Sequence, residues 1–186
     1  HSAWLAAAEA RPPRARPVEH IATIETPRGL RNALAIADAT PRTTALFFGS
    51  GDYTVATGSA VTERALAVPR ALIVAAAAAA RIEAIDAAWF VSVKDVAATR
   101  ADALVARELG FAGKLVFHPS QIAAANEVFT PAPAEIARAL RLIAAYETAR
   151  AEGRGTAYVD GEFVAVDIAL MAERTLARAR LAGVAG

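Results

Sequence analysis

The sequence predicts an α/β fold built on a parallel sheet, and three observations carry that reading. A strand-then-helix pattern repeats four times between residue 21 and about residue 128. The strand segments are apolar throughout instead of alternating, as strands covered by helices on both faces are. The composition is that of a folded domain: 186 residues, 55% hydrophobic and 21% charged, with a net charge of +1. Such a length suits one domain of ordinary size. The charge balance excludes a polybasic nucleic-acid arm, an acidic tail and a disordered chain. The longest apolar run, Ala71 to Ala80, falls well short of the ~18 residues that cross a bilayer, so no membrane association is expected. Cysteine is absent, which removes disulfides and thiolate metal sites. The 51 alanines imply a core lined with small side chains. A soluble, cytoplasmic globular protein is expected.

Taken in order, Trp4 to Ala10 reads as the tail of a helix, and Arg11 to Pro17, with three prolines, as a linker that cannot be helical. Ile21 to Glu25 is a short β-branched strand. Thr26-Pro27 supplies a cap and a first-turn proline for a helix running to about Asp38. Ala45 to Phe48 is the second strand, ended by Gly49-Ser-Gly51, and an alanine-rich helical region covers about Ser59 to Ala80. Ala84 to Asp86 with Ala88 to Val91 gives the third strand. Thr99 to Leu109 is a helix closed by Gly110. Lys114 to Phe117 is the fourth strand, and Pro119 begins the next helix. The pattern then changes: a long amphipathic helix from Pro133 to Ala151, a small hairpin around Asp160-Gly161, and a last helix from Asp167 to Arg180. Residues 1–130 therefore read as the α/β unit and 131–186 as a helix–hairpin–helix arm.

Ligands of parallel α/β units bind beyond the carboxyl ends of the strands. Glu25 stands there after the first strand, Gly49-Ser50-Gly51-Asp52 after the second, Asp86 on the third and His118 after the fourth. Two acids beside glycine-loosened backbone suit a hard divalent cation that keeps water and substrate oxygens as its other ligands. Each residue also has a structural reading. Glu25 before Thr-Pro can cap the helix, and Asp52 can be a turn residue. Asp86 reads as a buried, hydrogen-bonded acid, and His118 as either a packed loop residue or a base. Lys114, near the start of its strand, reads as structural. No P-loop, His-Glu-x-x-His or Gly-x-Ser-x-Gly motif is present.

Taken together, several segments resemble one family. They are Ile24-Glu-Thr-Pro-Arg-Gly-Leu30, Phe48-Gly-Ser-Gly-Asp52, Arg70 with its alanine helix, and Ala84-Ile-Asp86. Gly110-Phe-Ala-Gly-Lys114, Phe117-His-Pro-Ser-Gln-Ile122, Asn126, Phe129-Thr-Pro131, Asp160-Gly161 and Val166-Asp167 continue the series. In this order they resemble the citrate lyase β-subunit group of the HpcH/HpaI aldolase superfamily, which includes malyl-CoA and citramalyl-CoA lyases.

The resemblance implies a TIM (β/α)8 barrel of which this chain carries about four βα units, the carboxyl-terminal half, plus the arm. It implies an Mg²⁺-dependent carbon–carbon lyase that splits a 3-hydroxyacyl-CoA into an acyl-CoA and a keto acid, acting as a homo-oligomer, a trimer or a multiple of one. Glu25 and Asp52 match the metal carboxylates. Gly49, Ser50 and Gly51 match backbone lying against the substrate. Asp167 matches an acid that reaches a neighbouring subunit's site and handles the acyl-CoA enolate. None of the arginines here matches the family's substrate arginine. With Met171 as the only methionine, roughly 80 to 120 upstream residues are expected to complete the barrel. An HpaI-type pyruvate aldolase without CoA and a truncated, non-catalytic subunit are the alternatives.

Overall fold

The computed structural model describes residues 17–184 together with Ala3, Ala7 and Glu9, the last three helical. The remainder of the expected leading helix and of the proline-rich linker lies outside the described residues. Two compact units follow one another along the chain, the first ending at Phe129 and the second beginning at Thr130.

The first unit is a four-stranded parallel sheet in the order β1 (His20–Ile24), β2 (Thr43–Phe48), β3 (Glu83–Ala87), β4 (Gly113–Leu115). The register sets Ile24 beside Phe48, Phe48 beside Asp86 and Asp86 beside Lys114. The face carrying Ile24, Leu46, Phe48 and Ala84 is packed under helices, against Leu66, Ile73, Ala77, Ala106 and Phe111. Alanine lets helix and sheet approach closely at these positions.

The other face differs from the expectation of strands covered on both sides. Ile21 is 58% exposed and Leu115 41%, while Phe47 and Ile85 are only half-buried, because among the described residues helices cover one face alone.

The helices of this unit are α1 (Pro27–Arg31), α2 (Ala33–Ala37), α3 (Ser50–Thr57), α4 (Glu63–Ala80), α5 (Val96–Leu109) and, after a 3-10 turn at Pro119–Gln121, α6 (Ile122–Phe129). Thr26 caps α1 as expected, its Oγ1 accepting the Gly29 amide at 3.0 Å. The single helix expected from Thr26 to Asp38 is broken at Asn32, whose backbone leaves the helical region and whose Nδ2 donates to Arg28 O. The third strand stops at Ala87, so Ala88 to Val91 form a loop, and β4 ends at Leu115, not Phe117. Gly110 closes α5 at φ 104, a left-handed position open to glycine at little cost.

The second unit holds α7 (Pro133–Ala151), the antiparallel hairpin β5 (Ala157–Val159) and β6 (Glu162–Val164), and α8 (Val166–Leu181). Asp160 and Gly161 both have positive φ, the primed-turn geometry that an Asp-Gly pair supplies. Ala139, Leu142, Ala149, Val164, Ala172 and Leu176 form its core. Among the described residues no helix is long and apolar enough to cross a membrane.

Candidate active site

β1 runs out at Ile24, so Glu25 is the first residue beyond its carboxyl end. One strand over, the Gly49 amide donates to Ile24 O at 3.0 Å and ties the two strand ends together. A Cβ on Gly49 would lie 2.8 Å from Glu25 Cβ and 3.0 Å from Glu25 Oε2. Only glycine admits the Glu25 carboxylate over this turn. The backbone here is ordinary (φ −78), so the glycine is required for space and not for conformation.

The residues after Gly49 are helical, which corrects the glycine-loop reading: α3 begins directly at Ser50 and sets Asp52 in its first turn, exposed. Gly49 offers no side-chain cap, and the amides of Ser50, Gly51 and Asp52 have no hydrogen-bond partner among the described residues. An uncapped helix start presents partial positive charge to an anion. Ser50 is buried at 1% exposure, and Gly51 lies beneath the ring of Phe90, whose atoms are 3.6–3.9 Å from the position of a Cβ there. Neither Glu25 nor Asp52 has a hydrogen bond or an ion pair among the described residues. Among the described residues, no group of three or more acidic or histidine side chains converges as a metal site. Glu25 and Asp52 are thus two carboxylates uncompensated among the described residues, a pair that suits Mg²⁺, which keeps most of its ligands as water or substrate oxygen.

The other candidates resolve differently. Asp86 is fully buried and held by Lys114 Nζ at 2.6 Å and by Arg70 at 2.9 Å. Both cations also reach Asp102, Arg70 at 2.6 Å, closing a buried quartet of two cations and two anions that joins β3, β4, α4 and α5. Burial pushes the Asp86 carboxyl up from its ordinary range against the pull of Lys114 and Arg70. For Arg70, burial is outweighed by Asp86 and Asp102, and its pKa is raised. This is the structural role expected for Asp86 and Lys114, with Lys114 in mid-strand instead of at the strand's start.

His118 is half-buried in the loop after β4. Its Nδ1 accepts the Ser120 amide at 3.2 Å and caps the 3-10 turn. Asp167 belongs to the second unit, exposed in the first turn of α8, where an acid favours the helix in its own right.

Sequence reasoning missed Asp102, Gln121 and the Phe90–Phe117 pair. Asp102 looks like any helix-surface acid, and Gln121 had only its place in the His-Pro-Ser-Gln-Ile run as a signal. Gln121 is fully buried. Its Oε1 accepts the amides of Phe117 (2.9 Å) and His118 (3.2 Å), and its Nε2 donates to Trp89 O (2.7 Å) and Thr99 Oγ1 (3.2 Å).

The HpcH/HpaI aldolase/citrate lyase family model matches residues 7–119, more than half of the sequence. The chain belongs to that family. An HpcH/HpaI relative, the (3S)-malyl-CoA thioesterase of Cereibacter sphaeroides, is 39% identical over 160 residues, covering 85% of this chain and 55% of that protein. The L-malyl-CoA/beta-methylmalyl-CoA lyase of Rhodobacter capsulatus is 33% identical over 201 aligned positions, 98% of this chain and 63% of the relative. Among solved structures, CitE from Mycobacterium tuberculosis in complex with magnesium, acetoacetate and coenzyme A is 30% identical with a TM-score of 0.73, covering 89% of this chain and 62% of that one. The chain spans a little over half the length of these HpcH/HpaI relatives, and its fold is the α/β fold of the TIM-barrel type that they share.

Proposed function

We propose that the protein acts as an Mg²⁺-dependent carbon–carbon lyase, cleaving or condensing a 3-hydroxyacyl-CoA such as citryl-, malyl- or citramalyl-CoA. The observation that carries this reading is the Glu25 carboxylate lying over Gly49 where two parallel strands end, with uncompensated Asp52 in the first turn of α3. In this reading Glu25 and Asp52 hold the metal. The free amides at the start of α3 hold the carboxylate of the keto-acid half, and Gly49 to Gly51 let it approach the backbone. Bound there, Mg²⁺ supplies positive charge to the oxygen on which negative charge develops.

In the cleavage direction the C3 hydroxyl gives up its proton and becomes the keto oxygen as the C2–C3 bond breaks. The electron pair left on C2 passes into the thioester as an enolate, which regains a proton to give the acyl-CoA. Asp167 is the residue proposed to handle that enolate, from a neighbouring subunit of a homotrimer or a multiple of one. A CoA thioester substrate accords with a cytoplasmic enzyme.

Glu25→Gln and Asp52→Asn remove charge with little change in shape. Each is expected to weaken Mg²⁺ binding, followed calorimetrically with the metal alone, by more than the roughly 10–100-fold that loss of an outer-shell partner brings. Lyase turnover should fall with it, and undiminished affinity in both variants sinks the assignment. The 39% identity to a malyl-CoA thioesterase supports a second reading, hydrolysis of the thioester. The products separate the two: free CoA thiol without a keto acid marks hydrolysis, and a keto acid with intact acyl-CoA marks the lyase.

A further inference from the structure

Phe117 is 51% exposed, yet the backbone that carries it is firmly held. Its amide and that of His118 both end on Oε1 of buried Gln121, whose Nε2 reaches across to Trp89 O and Thr99 Oγ1. Ser120 Oγ adds a bond to Val93 O at 2.9 Å. The segment after β4 is thereby fastened to the segment after β3. The outcome is an aromatic pair, Phe90 and Phe117, with ring centroids 6.3 Å apart and planes at 82°. Phe90 rests on Gly51, the residue before Asp52. Four hydrogen bonds from one buried side chain thus hold a half-exposed apolar wall at the same end of the sheet as the two carboxylates.

We propose that Phe90 and Phe117 are specificity residues, forming the wall that receives the apolar substituent of the keto acid, and that Gln121 positions them. The inference rests on the lyase reading. There the keto acid's carboxylate and keto oxygen are engaged by the start of α3 and by Glu25 and Asp52, and its remaining group meets the ring resting on Gly51. Both rings are apolar, so the wall suits a methyl or larger apolar group. A keto acid bearing a methyl is therefore preferred over one bearing hydrogen, by the roughly tenfold or more that one buried methyl group brings.

The test is equilibrium binding of pyruvate and of glyoxylate to the Mg²⁺-loaded full chain, measured by calorimetry. Pyruvate is expected to bind about tenfold more tightly. Phe117→Ala should erase that preference while leaving glyoxylate affinity in place, and Phe117→Leu, which keeps apolar bulk, should retain most of it. Equal affinities in the unsubstituted chain, or equal losses for both acids in Phe117→Ala, overturn the proposal. Binding of neither acid while Mg²⁺ still binds tells against the lyase reading itself, and the wall falls with it.

Discussion

Gly49 is defined by what its missing side chain leaves room for. A Cβ at that position would sit 2.8 Å from Glu25 Cβ, closer than real Cβ atoms come, and the contact is with the stem of the side chain and not its flexible end. Gly49→Ala is therefore expected to push Glu25 aside, costing about 1–3 kcal/mol in thermal or denaturant unfolding and weakening Mg²⁺ binding. Gly51→Ala is the control for stability: its Cβ meets only the Phe90 ring at ordinary contact distance, 3.6 Å or more. Stability unchanged in Gly49→Ala would show that the turn can yield. The sequence marks both positions as glycines after a strand and invites one explanation for both, loosened backbone. Contact with Glu25 belongs to the pairing of β1 with β2, which no local pattern encodes.

At the scale of elements, what was legible followed local chemistry. Thr26 caps α1, Gly110 ends α5, and Asp160-Gly161 turns the hairpin, each by a rule that needs only neighbouring residues. What was not legible depended on partners distant in sequence. β3 ends at Ala87 while apolar residues continue, because the Trp89 carbonyl is taken by Gln121 and not by a strand ladder. The start of α3 was hidden by two glycines that disfavour helix in isolation.

The buried quartet is of the same kind. The strand position of Asp86 marks it as structural, but Asp102 comes from α5 and completes the charge balance. Lys114→Met leaves two buried carboxylates sharing Arg70 alone and is expected to cost about 3–5 kcal/mol in unfolding free energy. Arg100→Ala, which breaks the exposed Arg100–Glu127 pair, should barely move it. Similar losses in the two variants would show that the quartet is not the fastening it is taken to be.

At the scale of the whole molecule, the order of short motifs pointed to the family, and the matched span from residue 7 to residue 119 bears that resemblance out. The site was legible only in part. Glu25 follows β1 and Asp52 lies in the first turn of the helix after β2, whereas Asp167 lies in the second unit, and the role proposed for it calls on a neighbouring copy. Mixing Asp167→Ala with Glu25→Ala subunits should restore activity through hybrid sites in which one copy supplies Glu25 and its neighbour supplies Asp167. Verified mixed oligomers that stay inactive would place each site within a single chain.

The alanine core has a thermal consequence. Ala33, Ala37, Ala77, Ala84, Ala103 and Ala106 are buried where larger aliphatics fill other domains. Alanine gives up no rotamer freedom on burial, so ordering such a core loses little side-chain entropy. It also uncovers little hydrocarbon on unfolding, and the heat-capacity increment that bends a stability curve scales with that area. The stability curve is accordingly expected to be shallow, with stability changing slowly with temperature on the cold side as well as the warm.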